Sequence, residues 1–372
     1  MKCKLSDICA FRKGKVRVSS LTLKTYISTE NMMPNKCGIT EASSLPTVSL
    51  TQEYNSGDVL VSNIRPYFKK IWQAEYDGGC SNDVLVFVPK PNTDKDFLYY
   101  VLADDDFFTY SMATSKGTKM PRGDKTSIMQ YEVPLIDLQV QKKIASVLKA
   151  LDEKIKLNNE INDNLADLLQ TIYQERFDDA GLVANQGTLS DICSYSRDKV
   201  AVSKLNISTY FSTENMLSGK AGSTVATSLP TTARTTACHK GDTLVSNIRP
   251  YFKKIVYCED ECGCSTDVLC FTPDQPQYSA YLFSTLYVDK FFAFMVAGSK
   301  GTKMPRGDKQ QIMTYPIVLP SEAALDEFNA VVLPLIEQIY SNRAENKRLS
   351  LLRNTLLPKL MSGELDVSDI EI

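Results

Sequence analysis

Two short runs concentrate the side chains able to do chemistry. Residues 60–71 read LVSNIRPYFKKI and residues 115–125 read SKGTKMPRGDK. The first offers Arg65, Lys69 and Lys70, with Tyr67 and Phe68 between the charges and Ser62 and Asn63 ahead of them. The second offers Lys116, Lys119, Arg122 and Lys125, with Gly117, Pro121 and Gly123 keeping the backbone irregular. Cations set this way neutralise phosphates, and small residues let a backbone approach closely. An arginine can also grip guanine through two hydrogen bonds. Ser62 and Asn63 are candidate hydrogen-bonders to a base or phosphate; capping a strand end would use the same groups. Clustered lysines also make plain solvated loops, so charge spacing alone leaves both readings open.

Both runs occur twice. The first returns letter for letter at 244–255, with Ser246, Asn247, Arg249, Tyr251, Lys253 and Lys254. The second returns unchanged at 299–309, with Lys300, Lys303, Arg306 and Lys309. LSDIC at Leu5 and Leu189, STENM at Ser28 and Ser212, and SLPT at Ser44 and Ser228 share the same offset of 184. No insertion or deletion is needed. The chain is a tandem duplication of one domain-sized unit, not a solenoid.

Composition sets the bounds. The chain has 372 residues, 43% apolar and 23% charged, with a formal net charge of -2. A nucleic-acid partner would therefore have to meet locally concentrated charge. The first twenty residues lack a continuous apolar stretch, which argues against a signal peptide. No apolar run approaches the ~20 residues a membrane span needs. The ten cysteines then read as reduced thiols of a cytoplasmic protein. A phosphate-cradling glycine loop is missing, and the only histidine, His239, aligns with Asn55 in the first copy. Catalysis and cofactors are not expected. Cys258, Cys262 and Cys264, with Cys238 and His239 upstream, could be imagined around zinc. Ala74 and Gly78 stand at two of the aligned positions, so buried thiols and no metal are expected.

Each copy divides in two. The fold expected is α/β (α+β): a globular domain at 1–136, a helix at 137–178, a second globular domain at 179–320, and a helix with tail at 321–372. VLVFV at Val84 and DTLVSNI at Asp242 predict strands, and residues 97–113 predict one helix. Asp137 and Ser321 are N-cap residues for the long helices. Ile144, Leu148, Leu151, Ile155, Leu165, Leu169 and Ile172 keep a heptad, interrupted by Asn158 and Asn162. Phe328, Val332, Leu335, Ile339, Leu349, Leu356 and Leu360 keep another, interrupted by Asn342 and Asn346, with Arg353 as a further polar seam residue. Antiparallel pairing would set Asn158 and Asn162 against Asn346 and Asn342 and fix the register. Asparagines facing solvent are the bland alternative. Pro334 predicts either a kink or the helix start. Helices of about 40 residues are ~60 Å long, enough to act as a ruler between two heads.

Globular domains each followed by a long helix resemble the DNA-specificity subunit of type I restriction-modification systems. The resemblance covers essentially the whole chain. It rests on LVSNIRP at Leu60 and Leu244, GTKMPRGD at Gly117 and Gly301, and the strand-to-helix passage PLIDLQVQKKIASVLKALDEKI at Pro134. The second copy departs in that passage: ALDEFNAVVLPLIEQI at Ala324 lacks the Gln-Lys-Lys-Ile-Ala letters. The resemblance implies two target-recognition domains, each reading half of a split double-stranded DNA site. It implies helices that dock two methyltransferase subunits, with helicase-nuclease subunits completing the complex.

The duplication adds an expectation. Two similar readers related by a two-fold axis should read similar words on opposite strands, a near-palindromic target. The competing reading is a coiled-coil scaffold with two protein-binding heads. A scaffold has no need of identical cationic loops on both heads, and its binding would be insensitive to salt.

Overall fold

The computed structural model describes residues 2–178 and 186–367. The chain forms two compact units, Met1–Lys156 with Asn346–Ile372, and Leu157–Glu345. The expected start of the second globular domain at 179 lies outside the described residues.

In the first unit a sheet forms in the order Cys9–Phe11, Val84–Pro89, Val59–Ser62, Ile71–Gln73, all antiparallel. Val59–Ser62 is buried along its whole length because both faces are covered. Side chains of a strand alternate between faces. Val59 and Val61 join a core with Leu85, Phe87, Phe97, Val101, Phe107 and Phe108. Leu60 joins a second core with Tyr54, Trp72, Val84 and Val86 on the other face. That is why this strand reads as an apolar run and not as an alternation. A second sheet orders Lys15–Arg17, Leu50–Tyr54, Gly78–Cys80 and Tyr26–Ile27, the last pair parallel. Lys2–Lys4 pairs with Glu132–Pro134 and ties the start of the domain to its end.

The second unit repeats this plan at the same register. Val61 pairs Leu85 and Ile71; Val245 pairs Leu269 and Ile255. The core contents differ. In the first copy Tyr54, Trp72 and Tyr76 form an aromatic cluster, with ring centroids 5.8 and 5.3 Å apart. In the second, Cys238, Cys258, Cys262, Cys264 and Cys270 share one small core with Val256. These thiols are buried and free. Among the described residues no cluster of three or more His, Cys, Asp or Glu is arranged for a metal ion.

The helix predicted over 97–113 is two helices, Lys95–Ala103 and Asp105–Ala113. Asp104 breaks the run with an extended backbone, and its carboxylate caps the second helix at the Asp106 N–H, 3.0 Å away. A three-aspartate run favours a fresh N-terminus over continuation.

The long helices span Leu138–Tyr173 and Glu322–Ser362. Asp137 accepts from the Gln139 N–H at 2.8 Å and Ser321 from the Ala324 N–H at 3.3 Å. The second helix begins twelve residues before Pro334 and continues through it, so Pro334 is not its start. Each unit takes a stretch of both helices. In the first, Ile144 and Leu148 pack with Leu357, Leu360 and Met361, and Arg353 bonds Asp152. Tyr100 donates to the other oxygen of Asp152 at 2.8 Å. In the second, Leu169, Tyr173 and Phe177 pack with Phe328, Val332 and Ile336. There the partners run 158 with 345, 162 with 342 and 173 with 328, an antiparallel pairing. Asn342 Nδ2 donates to Asn162 Oδ1 at 2.9 Å, and Asn158 Nδ2 to Glu345 at 2.7 Å. Among the described residues no single helix is long and apolar enough to cross a membrane.

Candidate DNA interface

The strand Val59–Ser62 runs directly into the first cationic segment. Ser62 and Asn63 lie under the surface. Ser62 Oγ turns back to the Ile64 carbonyl at 3.1 Å, and the Asn63 N–H donates to the Asp83 carbonyl at 2.8 Å. Ser246 and Asn247 do the same with Ile248 and Asp267. The two serine hydroxyls finish a strand and the two asparagine side chains are buried beside them, so none of the four faces outward.

The chain then turns sharply. Pro66–Phe68 makes one 3-10 turn, closed by the Lys69 N–H on the Pro66 carbonyl at 2.8 Å. The residues on either side, Arg65 and Lys69, have φ of 50° and 49°. Arg249 and Lys253 both have φ of 51°. A left-handed residue with a side chain costs roughly 1–2 kcal/mol. Neighbouring bonds must hold such a conformation, and strained residues of this kind gather at binding sites. The turn leaves Tyr67 and Tyr251 half exposed, beside Phe68 and Phe252.

The second cationic segment folds onto the first. Lys116 and Arg122 exchange backbone hydrogen bonds of 2.9 and 3.0 Å across Gly117, whose φ is 93°. The Arg65 N–H donates to the Pro121 carbonyl at 2.8 Å, and the Gly123 N–H to the Asn63 carbonyl at 3.1 Å. A Cβ on Gly123 would sit 2.8 Å from Asn63 Oδ1 and from Ile128 Cδ1, so a larger residue would have to push those side chains aside. Arg249 on Pro305 and Gly307 on Asn247 repeat the arrangement. Runs fifty residues apart thus form one surface in each domain.

Carboxylates hold its cations. Asp105 bonds both Lys36 and Lys69 at 2.8 Å; Asp289 bonds Lys220 and Lys253 at 2.7 Å. Asp124 holds Lys116, and Asp308 holds Lys300 at 2.6 Å. Asp83 pairs Arg122 at 3.2 Å and Asp267 pairs Arg306 at 2.9 Å. Lys116, with the Ser127 N–H, brings the Asp124 carboxyl down to about 2. Lys300 and the amides of Gln311 and Gln310 lower Asp308. Lys220 and Lys253 lower Asp289 against its partial burial. Lys70 and Lys254 point elsewhere: each donates to a loop carbonyl, of Thr29 or Thr213, at 2.6 Å, and burial lowers its pKa. Lys119 and Lys303 are exposed, as are Lys125 and Lys309, which lie 6.0 and 5.9 Å from the rings of Phe11 and Tyr195. Sequence reasoning missed Lys36, Lys220 and the aspartates that anchor the lysines. Their signal was available, since all keep the offset of 184.

Known proteins share this architecture. A family model described as the type I restriction modification DNA specificity domain matches residues 1–166. Over 186 residues the chain is 27% identical to the specificity subunit of the type I restriction enzyme HindI from Haemophilus influenzae. That match covers 47% of this chain and spans only 40% of the relative's length. The MjaIX specificity subunit of Methanocaldococcus jannaschii is 23% identical over 318 residues, 76% of this chain and 72% of that one. A crystal structure of the type I restriction-modification S subunit from M. genitalium has the same fold, with a TM-score of 0.60 at 15% identity over 97% of this chain and 96% of that chain. The matched model covers the first copy, and the ungapped repeat carries its letters into the second. Over residues 1–166 the chain matches the type I restriction modification DNA specificity domain, and it is similar in sequence to specificity subunits of type I restriction enzymes.

Proposed function

We propose that each globular domain lays its joined cationic segments against one half of a split double-stranded DNA target. Arg65, Arg122, Lys116, Lys119 and Lys125 serve the first half-site; Arg249, Arg306, Lys300, Lys303 and Lys309 serve the second. Lys69 and Lys253 contribute once DNA phosphate displaces Asp105 or Asp289. Lys70, Lys254, Ser62, Asn63, Ser246 and Asn247 shape the loops. Tyr67 and Tyr251 supply flat, half-exposed rings beside the charges. The chain performs no chemistry itself. In the cytoplasm it directs two methyltransferase subunits, and helicase-nuclease subunits, to that target. Asn158, Asn162, Asn342 and Asn346 fix the register of the long helices.

One observation carries this reading: the same strained, hydrogen-bonded pair of cationic segments stands on both domains. Because the two surfaces match, the target is near-palindromic, with related half-sites in inverted orientation and centres one helical turn or somewhat more apart. The test is to co-express the chain with its neighbouring methyltransferase and map methylated bases across the host genome. A split motif with methylated bases on opposite strands and related halves is expected. Unrelated halves would sink the near-palindrome and keep the role. No methylation, together with DNA binding insensitive to salt, would favour the scaffold reading.

A further inference from the structure

Beside the cationic surface each domain has a polar cleft, about 490 Å³ in the first copy and about 300 Å³ in the second. Three segments wall it: 26–31, 40–46 and 81–83, with their counterparts at 210–215, 224–230 and 265–267. The cleft borders the cations directly. Asp83, in its wall, is the partner of Arg122, and Lys70 bonds the Thr29 carbonyl in another wall. Asp267 with Arg306 and Lys254 with Thr213 repeat this.

Most of the lining is structural. Asn31 Nδ2 donates to the Tyr26 and Thr40 carbonyls at 3.1 and 2.8 Å, while its Oδ1 accepts from the Ser28 N–H at 2.6 Å. It therefore fastens two walls together, as Asn215 does in the second copy. Of the fourteen lining positions only two differ between copies: Glu41 against Val225, and Ser43 against Thr227. The second is a change of one methyl. The first replaces an anionic acceptor by an apolar group.

Position 41 is also held firmly. The Thr40 N–H bonds the Asn31 carbonyl at 2.8 Å and the Ala42 N–H bonds the Leu23 carbonyl at 2.9 Å, with Ala42 buried. Thr224 and Ala226 are fixed in the same way, at 2.8 and 2.9 Å. Both side chains are exposed, so each projects from a pinned backbone. A carboxylate accepts from the exocyclic amine of cytosine or adenine, and methyl groups pack on the thymine methyl.

We propose that each domain reads base edges through this cleft, and that position 41 and its counterpart 225 make the half-sites differ. Glu41 takes a base bearing an exocyclic amine, and Val225 takes thymine at the corresponding place. This deepens the DNA-reading role and rests on it. Arg122, paired with Asp83 in the wall of the same cleft, brings positive charge to the cleft that carries Glu41.

The test compares methylation motifs of the intact complex carrying the wild-type chain, Glu41→Val, Val225→Glu, or both. Glu41→Val should change one position of one half-site to the letter read by the other domain. Val225→Glu should do the reciprocal, and the double variant should exchange the two letters. Each switch should alter preference roughly tenfold, as expected for one base contact. Binding selection from a random DNA pool by the purified complexes gives the same readout where methylation is weak. A motif unchanged in all variants would overturn the cleft as reader while leaving the DNA-reading role standing. No motif even from the wild-type complex, in either measurement, would overturn both.

Discussion

The two globular domains carry the same surface on different interiors. Residues 60–71 and 244–255 are identical, and their turns agree to within 2° in the φ of Arg65 and Arg249, Lys69 and Lys253. Behind them, Tyr54, Trp72, Ala74, Gly78 and Val86 in the first copy correspond to Cys238, Val256, Cys258, Cys262 and Cys270 in the second. In the first copy a Cβ added at Gly78 would meet the Thr25 carbonyl oxygen at 2.3 Å and the Tyr54 hydroxyl at 2.4 Å. In the second copy Cys238 stands in place of the Tyr54 ring, and the Cys262 and Cys258 sulfurs lie 3.6 Å apart. A core tolerates exchange when total volume is kept. A loop whose backbone sits in left-handed conformations and several of whose cations have a set partner has less freedom. The comparison teaches that the interior needs only to be filled, while the cationic surface needs particular residues.

The largest test of this contrast is in the cores. Tyr54→Ala should cost ~3–5 kcal/mol of unfolding free energy, as for other buried aromatics. Cys238→Ala should cost about 1 kcal/mol, since one sulfur is removed from a thiol cluster. Urea unfolding followed by Trp72 fluorescence reports the first unit, because Trp72 is the only tryptophan and lies 5.8 Å from Tyr54. Hydrogen exchange of the 255–257 strand reports the second. Equal costs would break the contrast.

On the surface the copies should behave alike. Arg122→Ala and Arg306→Ala should each weaken DNA binding by about 1–3 kcal/mol, measured by fluorescence anisotropy of the assembled complex. Lys116→Ala and Lys300→Ala should each reduce the slope of log affinity against log salt by about 1. A large effect in one copy only would mean that the halves of the site are read unequally.

Asn342→Ala sharpens the comparison at the helices. It strands Asn162 Oδ1 in a buried seam, at a cost of about 1–3 kcal/mol in the second unit. Replacing both Asn162 and Asn342 by leucine should recover that stability or exceed it, and should loosen the helix register.

The smallest effect is electrostatic. Asp124, Asp289 and Asp308 have depressed pKa values in the folded protein, so their contribution is complete above the unfolded value near ~4 and is lost as pH falls through the folded one. For Asp124 that point is about 2, which carboxyl NMR titration can follow. Exposed pairs contribute little stability. Their removal should show instead in binding. Asp105→Asn and Asp289→Asn free two lysines each and should raise DNA affinity by less than roughly threefold.

Much of this was legible in the letters. The offset of 184 declares the duplication, the heptads declare the long helices, and the strand containing Leu60 follows from its β-branched run. Other features depend on partners far away in sequence. Nothing local says that the Arg65 N–H bonds the Pro121 carbonyl, or that Lys70 is spent on the Thr29 carbonyl. The break at Asp104 was written in the three aspartates, but the apolar spacing across 97–113 hid it.

By itself the sequence determined that two like domains exist, that each carries the same cations, and that long amphipathic helices follow them. Those facts reside in composition, period and repeat, which need no third dimension. Tertiary structure decided which cations share a surface, which are neutralised by Asp83, Asp105 or Asp124, and which serine and asparagine side chains are buried. It also decided that Glu41 and Val225 stand at equivalent cleft positions beside those cations. The physical reason is that strand register and backbone hydrogen bonds join segments whose sequence separation says nothing of their distance. Charge acts through distance.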